Sequence, residues 1–197
     1  MTSNHFIWIG VVALLVFWGV GAYNRLVRLK NTIVNAFGQI DVQLKRRYDL
    51  VSALVEAAKR YLPHDTATLQ AVTLASNQAR SASDAARRRP TSAKAVTALS
   101  EAEVSMSSSL GRLFVAAQAH PEFKADETTK GLIEELTNTD NKVGFSRQTY
   151  NEAVRDYNKA QGEFPTVLLA RLFGFGPSAM LQTTQNPEEL RALHMQL

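Results

Sequence analysis

The sequence predicts an all-α protein in which an N-terminal transmembrane helix continues into an antiparallel bundle of about four long helices. Three observations predict it. Met1 to Asn24 contains no Lys, Arg, Asp or Glu, and residues 6–23 are almost wholly apolar. Beyond Tyr23, apolar residues recur at the helical period, and no stretch sustains two-residue alternation. Proline and glycine, 6 and 10 in 197 residues, fall in a few places only, which leaves long segments uninterrupted.

Eighteen apolar residues at a helical rise cover about 27 Å, close to the hydrocarbon thickness of a bilayer. Trp8, Trp18 and Tyr23 fall near its two ends, where amphipathic rings favour the membrane interface. A cleaved signal peptide would carry a basic leading region, and Met1 to His5 has no Lys or Arg. A core helix apolar on every side is uncommon in a chain of this length. The expected division is a short extracytoplasmic N-terminus over residues 1–5, a transmembrane helix over 6–24 and a bundle over 25–181. Arg25, Arg28 and Lys30 follow the span and no Lys or Arg precedes it, a bias that places the bulk of the chain in the cytoplasm.

The first bundle helix is expected over about 24–62. Its stripe is Leu26, Leu29, Ile33, Phe37, Ile40, Leu44, Tyr48, Val51, Val55, Ala58 and Leu62, whose ten intervals cover 36 positions, a mean of 3.6. No proline interrupts residues 23–62, so span and bundle helix form one rod that ends at Pro63. A second helix is expected over 66–86, capped by Asp65 or Thr66, and the run Arg87-Arg88-Arg89-Pro90 reads as a turn. A third, over 92–119, carries Leu99, Met106, Leu110 and Leu113 and ends at Pro121. The fourth, over 126–162, turns Ile133, Leu136, Val143, Tyr150, Val154, Tyr157 and Phe164 inward. A short apolar helix follows over 165–174. Residues 182–197 are polar and expected as a flexible tail.

Charge is distributed unevenly. Residues 1–99 carry 13 Lys/Arg against 5 Asp/Glu, and residues 100–197 carry 9 against 13, so early helices suit late ones electrostatically. A net charge of +4 gives no reason to expect a nucleic-acid partner, whereas the basic first half suits anionic lipid. Asp41 with Lys45 and Glu56 with Arg60 have the spacing of helical ion pairs. There is no cysteine, which excludes disulfides and thiolate chemistry. His5, His64, His120 and His194 are isolated, with no second histidine at metal-binding spacing, and no phosphate loop or nucleophile elbow occurs. Ser105, Ser107, Ser108 and Ser109 lie inside a helix and read as small packing residues. These readings lead to the expectation of a non-enzyme with neither cofactor nor metal.

Two stretches are more specific. One is Tyr23-Asn24-Arg25-Leu26-Val27-Arg28-Leu29-Lys30-Asn31, then Gln39-Ile40-Asp41-Val42-Gln43-Leu44-Lys45-Arg46-Arg47-Tyr48-Asp49-Leu50. The other is Asn141-Lys142-Val143-Gly144-Phe145-Ser146-Arg147-Gln148-Thr149-Tyr150-Asn151, followed by Tyr157-Asn158 and Phe164-Pro165. Together they resemble the LemA family of bacterial membrane proteins over about residues 5–180. The resemblance implies a single-pass anchor in the bacterial inner membrane, a cytoplasmic helical bundle and no established catalytic activity. Proximity of that family to a membrane zinc protease of the stress-response type implies a protease as one candidate partner. The family often has proline where Ser52 stands here, which implies a straighter first helix.

Tyr150 and Tyr157 lie two turns apart, with Asn151 and Asn158 beside them, and buried phenols and amides need partners. The expectation is a polar network joining the first and last long helices through Asp41, Gln43, Lys45, Arg46, Arg47, Tyr48 and Asp49 on one side and Arg147, Tyr150, Asn151, Tyr157 and Asn158 on the other. Leu168, Leu169, Leu172, Phe173 and Phe175 are expected to cap the bundle or to meet membrane or another subunit. The expected function is a membrane-anchored scaffold that self-associates. The alternatives are an adaptor of a membrane protease or envelope-stress system, and a lipid-binding, membrane-remodelling protein.

Overall fold

The computed structural model describes residues 2–182, with side chains from Phe6 onward, as six helices and no strand. They are α1 (Thr2–Ala58), α2 (Thr66–Arg88), α3 (Ala93–Ala117), α4 (Pro121–Ala125), α5 (Glu127–Gly162) and α6 (Thr166–Leu172). The protein is an all-α helical bundle.

α1 runs 57 residues without a break, about 86 Å at helical rise. Its residues 6–18 are all exposed, with Phe17 79% and Leu14 70%, and this apolar stretch makes α1 the one described helix long and apolar enough to cross a membrane. From Leu26 onward the same helix becomes a core element: Leu26, Ile33, Phe37, Ile40, Leu44, Tyr48, Val51, Val55 and Ala58 are all buried. Ser52 stands on an uninterrupted turn, its hydroxyl donating to Tyr48 O at 2.9 Å.

α1 packs along α2 and α5, and α2 packs along α3. Cross-helix pairs give the directions. Asp41 meets Ser83 while Asp49 meets Arg80, and Phe37 meets Tyr150 while Arg46 meets Glu135, so both neighbours run antiparallel to α1. Tyr48, Tyr150, Tyr157, Phe37 and Phe123 are among the largest fully buried side chains, and the core sits along the seams of α1.

Several boundaries differ from those expected. The regular part of α1 stops at Ala58, and Tyr61 N and Leu62 N both donate to Ala58 O, folding the chain into turns that still bury Leu62 before Pro63. Arg87 and Arg88 are not in a turn but in the last turn of α2, where cations face the negative end of the helix dipole. Pro121 opens a short helix as well as following α3, because proline fits a first helical position whose N–H has no partner in any case. One turn of helix is too short to leave a periodic signal. It seats Phe123 in the core, edge-on to Tyr61 at 5.9 Å between ring centroids. Phe164 is 81% exposed rather than inward, since α5 has ended at Gly162 and its periodicity no longer governs. Glu56 pairs with Lys59 at 2.6 Å, not with Arg60. The tail expected over 182–197 lies, beyond Gln182, outside the described residues.

α5 begins with a built cap. The Asp126 carboxylate accepts from Thr129 N at 2.9 Å and from Thr129 Oγ1 at 3.0 Å, and these bonds hold its pKa below the usual carboxylate value. A lowered pKa means that folding favours the ionised cap, whose contribution is present at neutral pH and is lost as the solution becomes acid enough to protonate it. Asp126→Ala is expected to lower the thermal midpoint of the full chain at pH 7, with the difference from the parent shrinking as pH falls below about 4. Circular dichroism melts at the two pH values check this.

Candidate functional site

Two separate clusters hold most of the residues expected in the polar network. The first is an ion cluster at the junction of α1, α3 and α5. Arg47 belongs to the buried side of α1, and its guanidinium cannot reach water, so it needs charge partners within the fold. Glu103 of α3 pairs with Arg47 Nη1, and Ser107 Oγ accepts from Nη2 at 3.2 Å. Asp140 Oδ1 of α5 lies 2.7 Å from Arg47 Nε as an ion pair without an aligned hydrogen bond. The Tyr48 hydroxyl donates to the other Glu103 oxygen, and Arg80 lies over the Tyr48 ring at 5.5 Å. Burial opposes the Arg47 charge, yet Asp140 and Glu103 outweigh it and its pKa rises. Burial, then the Glu103 charge, pushes the Tyr48 phenol far above its usual range.

Around this centre the remaining charges of α1 are laid out toward its neighbours. Asp41 accepts from Lys45 Nζ at 2.7 Å and from Ser83 Oγ at 3.4 Å, and Arg87 Nε stands 3.9 Å away. Arg46 pairs with Glu135 of α5, and Asp49 with Arg80 of α2 at 2.8 Å. Gln43 is half-buried on the same helix and has no part in the network. Arg147 is half-buried on α5, its pKa lowered by burial and then by the nearby Arg47 charge.

The second cluster gives the tyrosines and asparagines partners other than those expected. Tyr150 OH donates to Pro90 O at 2.9 Å and lies 3.1 Å from Ala179 O, and Tyr157 OH donates to Gly176 O at 3.0 Å. Asn158 Nδ2 donates to Ser178 O while its Oδ1 accepts from Ser178 N, and Asn151 makes the same pair of bonds with Leu181. These side chains clamp the strand-like stretch after α6 onto α5, replacing the backbone partners that an isolated chain would lack. They do not touch the charged block of α1, although the Tyr150 ring packs edge-on against Phe37 at 5.8 Å. Burial raises the Tyr150 and Tyr157 pKa values.

That clamp positions the apolar end. α6 closes with Gly174 at φ +71°, a left-handed turn that glycine takes without strain, and Phe175 N donates to Ala170 O at 2.8 Å. The turn brings Phe173 and Phe175 edge-on to Tyr23 of α1, at 5.1 and 5.5 Å, with Lys30 Nζ 5.9 Å from the Phe175 ring. Beside it runs an apolar groove of about 480 Å³ between Val12, Leu15, Val16, Gly19, Val20 and Tyr23 of α1, Leu169 of α6 and Phe173 just after it. Leu168, Leu172 and Phe173 are exposed, while Thr166 and Ala170 are buried.

The sequence motifs did not include Glu103, Asp140 or the carbonyls of residues 176–181, and Ser107, read there as a packing residue, accepts a hydrogen bond from Arg47. The acids carried a signal: Glu103 follows Leu99 by four positions and Asp140 follows Leu136 by four, so each places a carboxylate on an apolar stripe. The carbonyl partners carry none, since backbone oxygens are the same in every residue. Among the described residues no group of three His, Cys, Asp or Glu is placed to hold a metal ion.

Removing one member of a buried ion cluster leaves the others uncompensated, so Arg47→Met is expected to destabilise the full chain by about 3 kcal/mol, read from urea unfolding in detergent. The three buried phenols are held neutral and their folded pKa values lie above the unfolded one. Stability is therefore complete below about pH 10 and falls as pH rises beyond it. Tyr150→Phe is expected to cost about 2 kcal/mol at pH 7, because the buried Pro90 carbonyl loses its donor, while reducing that alkaline loss.

A comparison with curated proteins finds no match. A protein-family model described as the LemA family matches residues 36–194, a region that includes the ion cluster, the clamp and α6, and the chain belongs to the LemA family.

Proposed function

We propose that this protein is a non-catalytic scaffold, anchored in the bacterial inner membrane by α1, that self-associates and presents its cytoplasmic bundle to partners. The observation that carries this reading is the continuity of α1. A helix that is apolar and exposed over residues 6–18 and buried along one face from Leu26 has no loop at which anchor and bundle can pivot freely, so the bundle is held upright over the surface. Arg25, Arg28 and Lys30 at the crossover support a cytoplasmic bundle. Anchoring confines copies to two dimensions, where even weak contacts between them act at high effective concentration. Val42 of α1 and Phe145 of α5, 62% and 72% exposed, come to similar heights by the antiparallel register and offer apolar surface for such contacts.

Crosslinking the full-length protein in native membranes is expected to give a ladder of its own multiples, weakened in the Val42→Ser/Phe145→Ser variant while its melting temperature stays unchanged. A single band with a foreign protein and no ladder points instead to an adaptor. Protease added to right-side-out vesicles is expected to leave the bundle intact, and digestion from outside reverses the orientation.

A further inference from the structure

We propose that the segment Phe164–Phe175 is a second membrane-inserted element, a wedge seated at the boundary between headgroups and acyl chains where α1 leaves the bilayer. Its occupant is anionic phospholipid, with acyl chains against the exposed apolar side chains and phosphates near the flanking cations. The inference rests on α1 spanning a membrane and goes beyond the scaffold.

Register gives the height. Phe37 and Tyr150 touch, and α1 and α5 run antiparallel with the same rise per residue. Gly162, the last residue of α5 and twelve past Tyr150, therefore comes level with Arg25, twelve before Phe37, and Phe164 follows two residues later. Contacts agree with the register: Phe173 meets Tyr23, and a Cβ added at Gly19 would lie 4.0 Å from Leu169 Cδ1. Gly19 is about 6 Å inside the Tyr23 end of the apolar stretch, the depth at which interfacial helices bury an apolar face.

Burial shows what is left to be covered. Phe164, Leu168 and Leu172, spaced four apart, are 81%, 60% and 76% exposed, although α6 is already packed on α1 and α5 through other residues. The groove beside them shares one wall with the apolar stretch of α1, so whatever surrounds that stretch also reaches α6. Charge selects the lipid. No Asp or Glu occurs in residues 1–40 or 164–187, while Arg25, Arg28, Lys30 and Arg171 do. All four are exposed, a one-sign arrangement that suits anionic headgroups. The clamp of Tyr157, Asn158 and Asn151 holds the chain immediately after the wedge, so a wedge in lipid is tied mechanically to α5.

The chain has no cysteine, so single-cysteine labelling is direct. Leu172→Cys, Val12→Cys and Val115→Cys full-length proteins, each carrying a polarity-sensitive fluorophore, are placed in vesicles of phosphatidylcholine and phosphatidylglycerol with nitroxide-bearing acyl chains. The label at residue 172 is expected to shift to the blue and to lose roughly half its emission to a shallow nitroxide, the label at residue 12 to respond to a deep one, and that at residue 115 to neither. A blue-shifted but unquenched label at residue 172 means that a second copy covers α6, and overturns the proposal. Water-like emission there, with residue 12 quenched, overturns the wedge and leaves the anchor standing. If residue 12 is itself unquenched, the anchor fails and the wedge falls with it.

Discussion

One helix has to satisfy two different surroundings, and the rest of the architecture is arranged around that constraint. Over residues 6–18 α1 shows apolar side chains on every face, exposed among the described residues. Past Leu26 it narrows to a stripe with charged residues between, the pattern of a helix with one face in a core. Because no proline falls between the two regimes, the backbone hydrogen bonds pass through the crossover unchanged. Every later element then has to dock on a rod whose far end is committed elsewhere, and α2, α5 and α6 all do so on its inner half or at its crossover.

Docking apolar stripes alone would leave the helices free to slide by a turn. The buried Arg47 narrows that freedom, because its guanidinium is stable in the core only where Glu103 and Asp140 arrive together. An ion cluster of this kind adds little net stability over an apolar replacement, but it penalises wrong registers heavily. Tyr150, Tyr157, Asn151 and Asn158 play the matching part for the C-terminal stretch: they fix where residues 176–181 lie on α5, and so where α6 meets Tyr23. The two clusters thus divide the task, one setting the helices against each other and one setting the apolar end against the crossover.

Much of the architecture was legible before any coordinates. The mean spacing of 3.6 along Leu26 to Leu62 follows from local geometry, and each of those positions that anchors the stripe is buried or packed against the core. Asp126 marks the start of α5 through chemistry confined to a few neighbouring residues, which sequence records faithfully, whereas α1 and α3 stop at Ala58 and Ala117, before the prolines expected to end them. The same local logic misplaced Phe164 and missed α4, since a periodic signal needs several turns and both lie where only one is available.

Pairing is a different matter. The sequence displayed a charged block on the first helix and a tyrosine-asparagine set on the last, and proximity of the two helices made their union reasonable. In the fold they serve separate clusters, because α3 supplies a carboxylate at the height of Arg47 and residues 176–181 fold back over the tyrosines. Helix type, length, polarity and the apolar span are written in single segments, where each residue interacts with others a turn away. Which side chains become partners depends on how far each helix is displaced along its neighbours and on a return of the chain from the end of α6, and those quantities exist only once distant segments are packed together.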